Sequence, residues 1–143
     1  MKRNNAPARL LSLLLCAALC ASLCLPAIAE TAGDTVYIRT AEDLIELSEH
    51  CSLDTWSRGK TVVLANDISL RGVELEPIAT FSGTFEGGGH TISGLRLTGN
   101  FSPAGLFSTV ERGGVIRSLK VEGQVLPGGT KEYVGGIVGR NYG

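Results

Sequence analysis

From residue 60 onward, apolar and polar residues alternate in runs too short to be helices: Thr61-Val62-Val63-Leu64, Ile68-Ser69-Leu70, Leu95-Arg96-Leu97, Leu119-Lys120-Val121 and Gly135-Gly136-Ile137-Val138, divided by glycines and polar residues. A period of two, rich in β-branched residues, predicts strands. Thr35-Val36-Tyr37-Ile38-Arg39 reads the same way. Between these regions the rhythm changes. Leu44, Ile45, Leu47 and Cys51 form an apolar stripe at helical spacing. Thr40 stands at its head as an N-cap, with Asp43 three residues on in a capping-box-like position, and Glu42 and Asp43 complement the positive end of the helix dipole. The pattern predicts one short helix in an all-β chain.

The short runs repeat. Ile68-Ser69-Leu70-Arg71-Gly72, Leu95-Arg96-Leu97-Thr98-Gly99 and Leu119-Lys120-Val121-Glu122-Gly123 share one order, apolar, polar, apolar, polar, glycine, at steps of 27 and 24 residues. The stretch from Thr91 to Gly99 superposes on that from Val115 to Gly123 at the same step of 24, aligning Ile92 with Ile116. Ala104-Gly105-Leu106-Phe107 pairs with Gly135-Gly136-Ile137-Val138 at a step of 31, which places seven extra residues within 124–133, around Pro127-Gly128-Gly129. Repeats of this length mean stacked units. The expected fold is an all-β, right-handed parallel β-helix, with a short N-terminal helix covering the first coil. Ile92, Leu95 and Leu97 are expected to stack on Ile116, Leu119 and Val121. Gly72, Gly99 and Gly123 are expected at corners that exclude a Cβ.

The organisation read from the chain is 1–29 as a signal peptide, 30–59 as an N-terminal strand and capping helix, and 60–143 as β-helix repeats. Lys2, Arg3 and Arg9 precede an apolar run from Leu10 to Leu25, and Ala27-Ile28-Ala29 supplies the small residues of a cleavage site after Ala29. A lipoprotein reading at Cys16, Cys20 or Cys24 is opposed by Leu15, Leu19 and Leu23, which stand where lipid attachment needs a small residue. Localisation is therefore expected to be secreted or extracellular, with wall association open and no membrane insertion after leader removal. Loss of the three leader cations leaves ten Lys and Arg against fourteen Asp and Glu, a net charge of −4, which disfavours nucleic acid as a partner. Cys51 becomes the one remaining thiol. It reads as a buried helix residue, the alternative being a disulfide between two chains. The final Val134-Gly135-Gly136-Ile137-Val138-Gly139-Arg140-Asn141-Tyr142-Gly143 begins another coil, so the chain reads as part of a longer protein, the alternative being a second chain over that edge.

Asn66-Asp67-Ile68-Ser69-Leu70, then Pro77-Ile78, the stretch from Phe81 to Leu95, Gly105-Leu106-Phe107, and the run from Val134 to Asn141 follow one another in an order and composition that resemble the GLUG-motif repeats of bacterial secreted and surface proteins. The likeness spans 35–143. Glu86-Gly87-Gly88 stands where those repeats usually have Asp, Gly and Asn, and Ala79 where a glycine is common. The resemblance implies a parallel β-helix within a larger extracellular or wall-associated protein, often adhesin-like or appended to a peptidase. It implies no catalytic residues in the motif.

Candidate chemistry is sparse. Gly87-Gly88-Gly89-His90 has neither phosphate-loop nor dinucleotide-loop spacing and leads into a strand, so it reads as a turn. His90 has no ligand partners at metal spacing and reads as a hydrogen-bonding turn residue, and His50 as a complement to the helix end. Glu74, Glu76, Asp67 and Glu86 read as solvated carboxylates with nothing to set them against one another as acid and base. Arg96 and Lys120, in one repeat phase with Ser69 a coil earlier, suggest either a thin basic stripe for an acidic glycan or a solvated face. Tyr37, Trp56, Tyr133 and Tyr142 are too far apart in sequence to form a sugar platform. No catalytic, metal or cofactor residue is assigned. The expected function is a non-catalytic exported β-helix module, structural or adhesin-like. Its expected partners are a host or cell-wall glycan or protein, together with neighbouring coils of the parent chain. The alternative is the N-terminal part of a carbohydrate-active enzyme or surface peptidase whose catalytic residues lie beyond residue 143.

Overall fold

The computed structural model describes residues 34–53 and 55–143. The expected leader, its cleavage site and its three cysteines lie outside the described residues. Strands β1 (Thr35–Ile38), β2 (Thr61–Leu64), β5 (Thr84–Glu86) and β8 (Val115–Arg117) form a first sheet in that spatial order. Strands β3 (Ile68–Ser69), β6 (Thr91–Leu97) and β9 (Lys120–Val125) form a second, and β4 (Ile78–Phe81), β7 (Phe107–Val110) and β10 (Val138–Asn141) a third. All their pairings are parallel. The chain is thus an all-β parallel β-helix that passes its first sheet four times, each turn hydrogen-bonded to the one before.

The interior is built of vertical rows. Val36, Val62, Phe85 and Ile116 are mutual partners down the first sheet. Ile68, Ile92 and Val121 follow down the second, and Ile78, Phe107 and Val138 down the third. Phe81, Phe85 and Phe107 are fully buried and meet edge to face at 5.3–6.3 Å between ring centres. Burial of each ring contributes roughly 1.5–3 kcal/mol.

In the first turn, helix α1 (Ala41–His50) stands where the later turns place their second and third strands. Its start is the capping box read from the sequence: Thr40 Oγ1 accepts the Asp43 amide at 3.2 Å, and Asp43 Oδ2 accepts the Thr40 amide at 3.1 Å. Leu44, Leu47 and Cys51 are buried against the core. Ser48 Oγ donates to the Glu76 carbonyl at 2.8 Å, and the Cys51 carbonyl accepts the Thr80 amide at 3.2 Å. The helix therefore covers the open end of the interior and satisfies the outer edge of β4.

The vertical register differs from the expected one. Ile92 lies on Val121, five residues later than its superposed partner, and Leu95 and Leu97 lie on Gly123 and Val125, four residues later, the difference being the register shift between Ser93 and Leu95. Ile116 stacks on Phe85 in the first sheet instead. The two superposed stretches share a local shape, because Gly94 (φ 73°) and Ser118 (φ 54°) occupy the same point in each with left-handed backbone. At Gly94 this shape accompanies a register shift between Ser93 and Leu95, while Ser118 lies between β8 and β9 at the corner joining two sheets. Leu95 and Leu119 remain in neighbouring turns without being partners. The expected step of 31 does hold, with Phe107 opposite Val138. Of the three glycines expected at corners, Gly72 has φ 75° in a turn. Gly123 lies inside β9, where a Cβ would collide with the Leu95 backbone, and a Cβ on Gly99 would meet the Phe101 ring.

Candidate functional site

The corner between the first and second sheets gathers several residues singled out in the sequence. Gly88 (φ 58°) and Gly89 (φ 80°) make the turn after β5, so the glycine-rich stretch is a corner. His90 Nδ1 lies 3.2 Å from Asp67 Oδ1, the same oxygen that accepts the Thr91 amide at 2.8 Å. Asp67 is held below the usual carboxylate range, first by that amide and then by His90. Glu86 forms an ion pair with Arg117 one turn later and is lowered chiefly by that contact. These pairs tie successive turns together.

Other candidates fall elsewhere. Glu74 and Glu76 are exposed and line one shallow cleft beside Ser48 and Glu49 of α1. Burial pushes the Cys51 thiol up to about 11, against a weaker opposing contact from Ser57, which leaves it protonated at neutral pH. Arg96 and Lys120 do not share a row: Lys120 is opposite Thr91, and Arg96 is opposite Gln124. Ser69 leads down its row to Ser93 and Glu122. Of the two readings of this pair, the basic stripe does not form on this sheet. Among the described residues no group of three or more His, Cys, Asp or Glu is arranged to hold a metal.

The aromatic residues are less dispersed than their spacing suggested. Tyr37 and Trp56 line one cavity of about 260 Å³ near α1, but Trp56 is already stacked on His50 at 4.7 Å and carries Lys60 Nζ at 5.4 Å. Tyr133 and Tyr142 meet around Arg140, whose guanidinium carbon lies 3.9 Å from one ring centre and 5.9 Å from the other.

Tyr142 also borders a cleft of about 400 Å³ at the corner between the third and first sheets, with Arg58, Ser82, Glu111 and Arg112. Its shape follows from turn lengths. Only Ser82 and Gly83 join β4 to β5, whereas 111–114 join β7 to β8 one turn later, and the long turn containing Arg58 lies one turn earlier. The short turn forms the floor and the two longer ones the walls. Gly83 is required there, because a Cβ would run into the Ser57 and Lys60 carbonyls of the turn before. Ser57 Oγ, fully buried, accepts the Ser82 amide at 2.9 Å and fixes the floor.

Arg58 and Arg112 stand at equivalent points, each three residues before a first-sheet strand and each followed by a left-handed glycine, Gly59 (φ 73°) and Gly113 (φ 84°). They are 54 residues apart, the distance of the two coil steps between Thr61, Thr84 and Val115. This Arg-Gly recurrence was the available sequence signal. The intervening turn, Ser82-Gly83, lacks it, which breaks the repeat along the chain.

The fold and this corner define a parallel β-helix with a polar lateral cleft. No protein-family model, curated protein or solved structure matches the chain.

Proposed function

We propose that the chain is a non-catalytic exported β-helix module, the structural or adhesive part of a bacterial secreted or surface protein of the kind its GLUG-like repeats resemble. The observation that carries this reading is how the corner side chains are used. Asp67 with His90 and Glu86 with Arg117 bridge successive turns, which is scaffold work. An acid and a base aimed at a common substrate position would be needed for hydrolysis. A stack of parallel turns also presents flat, repeated lateral surface, suited to contact with an extended partner.

Incubating the full chain with a panel of cell-wall and host polysaccharides tests the reading. Retention on at least one polysaccharide, with no new reducing ends, is the expected result. Release of reducing ends would overturn it in favour of an enzyme.

A further inference from the structure

We propose that the cleft between Arg58 and Arg112 is a binding site for a carboxylate-bearing saccharide, a uronic-acid oligomer lying along the corner of the stack. The proposal rests on the adhesive reading and assigns that role to one place on the molecule.

Among the described residues, neither guanidinium has an ion-pair or hydrogen-bond partner, although Glu111 lines the same cleft. The neighbouring cation, Lys60, is already paired with Asp34 at 2.8 Å. The two arginines are two layers apart, about 10 Å along the stack at the usual interstrand spacing of about 4.8 Å. Planar guanidinium groups suit carboxylates because they donate two parallel hydrogen bonds. The cleft holds three further kinds of group that a sugar uses. Glu111 accepts hydrogen bonds from hydroxyls, Ser82 can donate or accept, and Tyr142, 53% exposed, offers an aromatic face to the C–H side of a pyranose ring.

The Glu111 carboxylate also discriminates. It would repel a densely sulfated chain or a nucleic acid, while one carboxylate per sugar leaves hydroxyls for it to bind.

Calorimetric titration of the full chain with tetragalacturonate, its carboxyl-reduced neutral counterpart and a sulfated heparin tetrasaccharide tests the proposal. Tetragalacturonate is expected to bind, and the reduced and sulfated compounds to bind at least about tenfold more weakly, the scale of one lost charged hydrogen bond. Arg58→Gln and Arg112→Gln should each weaken tetragalacturonate about tenfold or more on the same ground, and Tyr142→Ala should weaken all three compounds. Arg96→Gln, on the second sheet, should change nothing. Thermal melts matching the parent chain confirm that the exposed-residue variants remain folded. Equal affinity for the reduced compound, preference for the sulfated one, unchanged binding in both arginine variants, or no binding of tetragalacturonate would each overturn the assignment. Glycan binding that ignores both arginines removes this site and leaves the adhesive reading standing, whereas reducing ends released from tetragalacturonate remove the non-catalytic reading.

Discussion

Asp67 shows how one side chain can hold a corner of this fold. Its Oδ1 receives the Thr91 amide from the next turn and faces His90, and both contacts favour the ionised form. A carboxyl lowered in the folded state stabilises the fold fully above its unfolded value, near about 3.9 for aspartate, and that contribution is lost as pH falls through the lower folded value. The thermal midpoint should therefore drop on acidification below about pH 4, and Asp67→Asn should flatten the decline while keeping an oxygen for the Thr91 amide. Melting curves across that range check this, and parallel declines in the two proteins would contradict it. The turn role of His90 was legible in the sequence because glycines precede it and a strand follows. Its partner was not, since Asp67 lies 23 residues earlier.

The element that the sequence described best is α1, whose cap, acidic first turn and buried stripe are all local features. What it replaces was not written locally. The helix does the work of two strands by giving its C-terminal carbonyl and the Ser48 hydroxyl to the β4 side of the stack. Leu47→Ala should cost roughly 2–5 kcal/mol through lost packing and a cavity. Thr40→Ala should cost about 1 kcal/mol through the cap. Urea unfolding measures both. Equal effects would mean that the helix is held by its ends and not by the core.

Across the whole molecule the turns are unequal. The third turn, β5 to β7, is paired on both sides, and Phe85, Ile92 and Phe107 in it are buried. In the fourth, β8 to β10 are paired on one side among the described residues, and Ile116, Val121 and Val138 are partly exposed. Stability in such a stack is close to a sum of neighbour contacts, so opening should spread from the less covered end. Hydrogen exchange of the full chain should find amides of β8, β9 and β10 exchanging faster than those of β5, β6 and β7. Uniform protection through both turns would show that the stack opens as one unit.

The sequence by itself determined the short strands and the one capped helix, because alternation, capping and turn residues are all local, and its recurring runs pointed to a stack of parallel turns. It also marked the step of 31 between Phe107 and Val138, where a glycine-rich pattern recurs in phase. Only the tertiary structure decided which residues share a layer. That register depends on the length of chain between strands, such as 70–77, 98–106 and 126–137 between the second and third sheets, and these segments differ in length, so runs that match in sequence need not fall opposite one another. The same uncounted lengths brought Arg58 and Arg112 to one corner with a two-residue turn between them, and kept Arg96 and Lys120 apart.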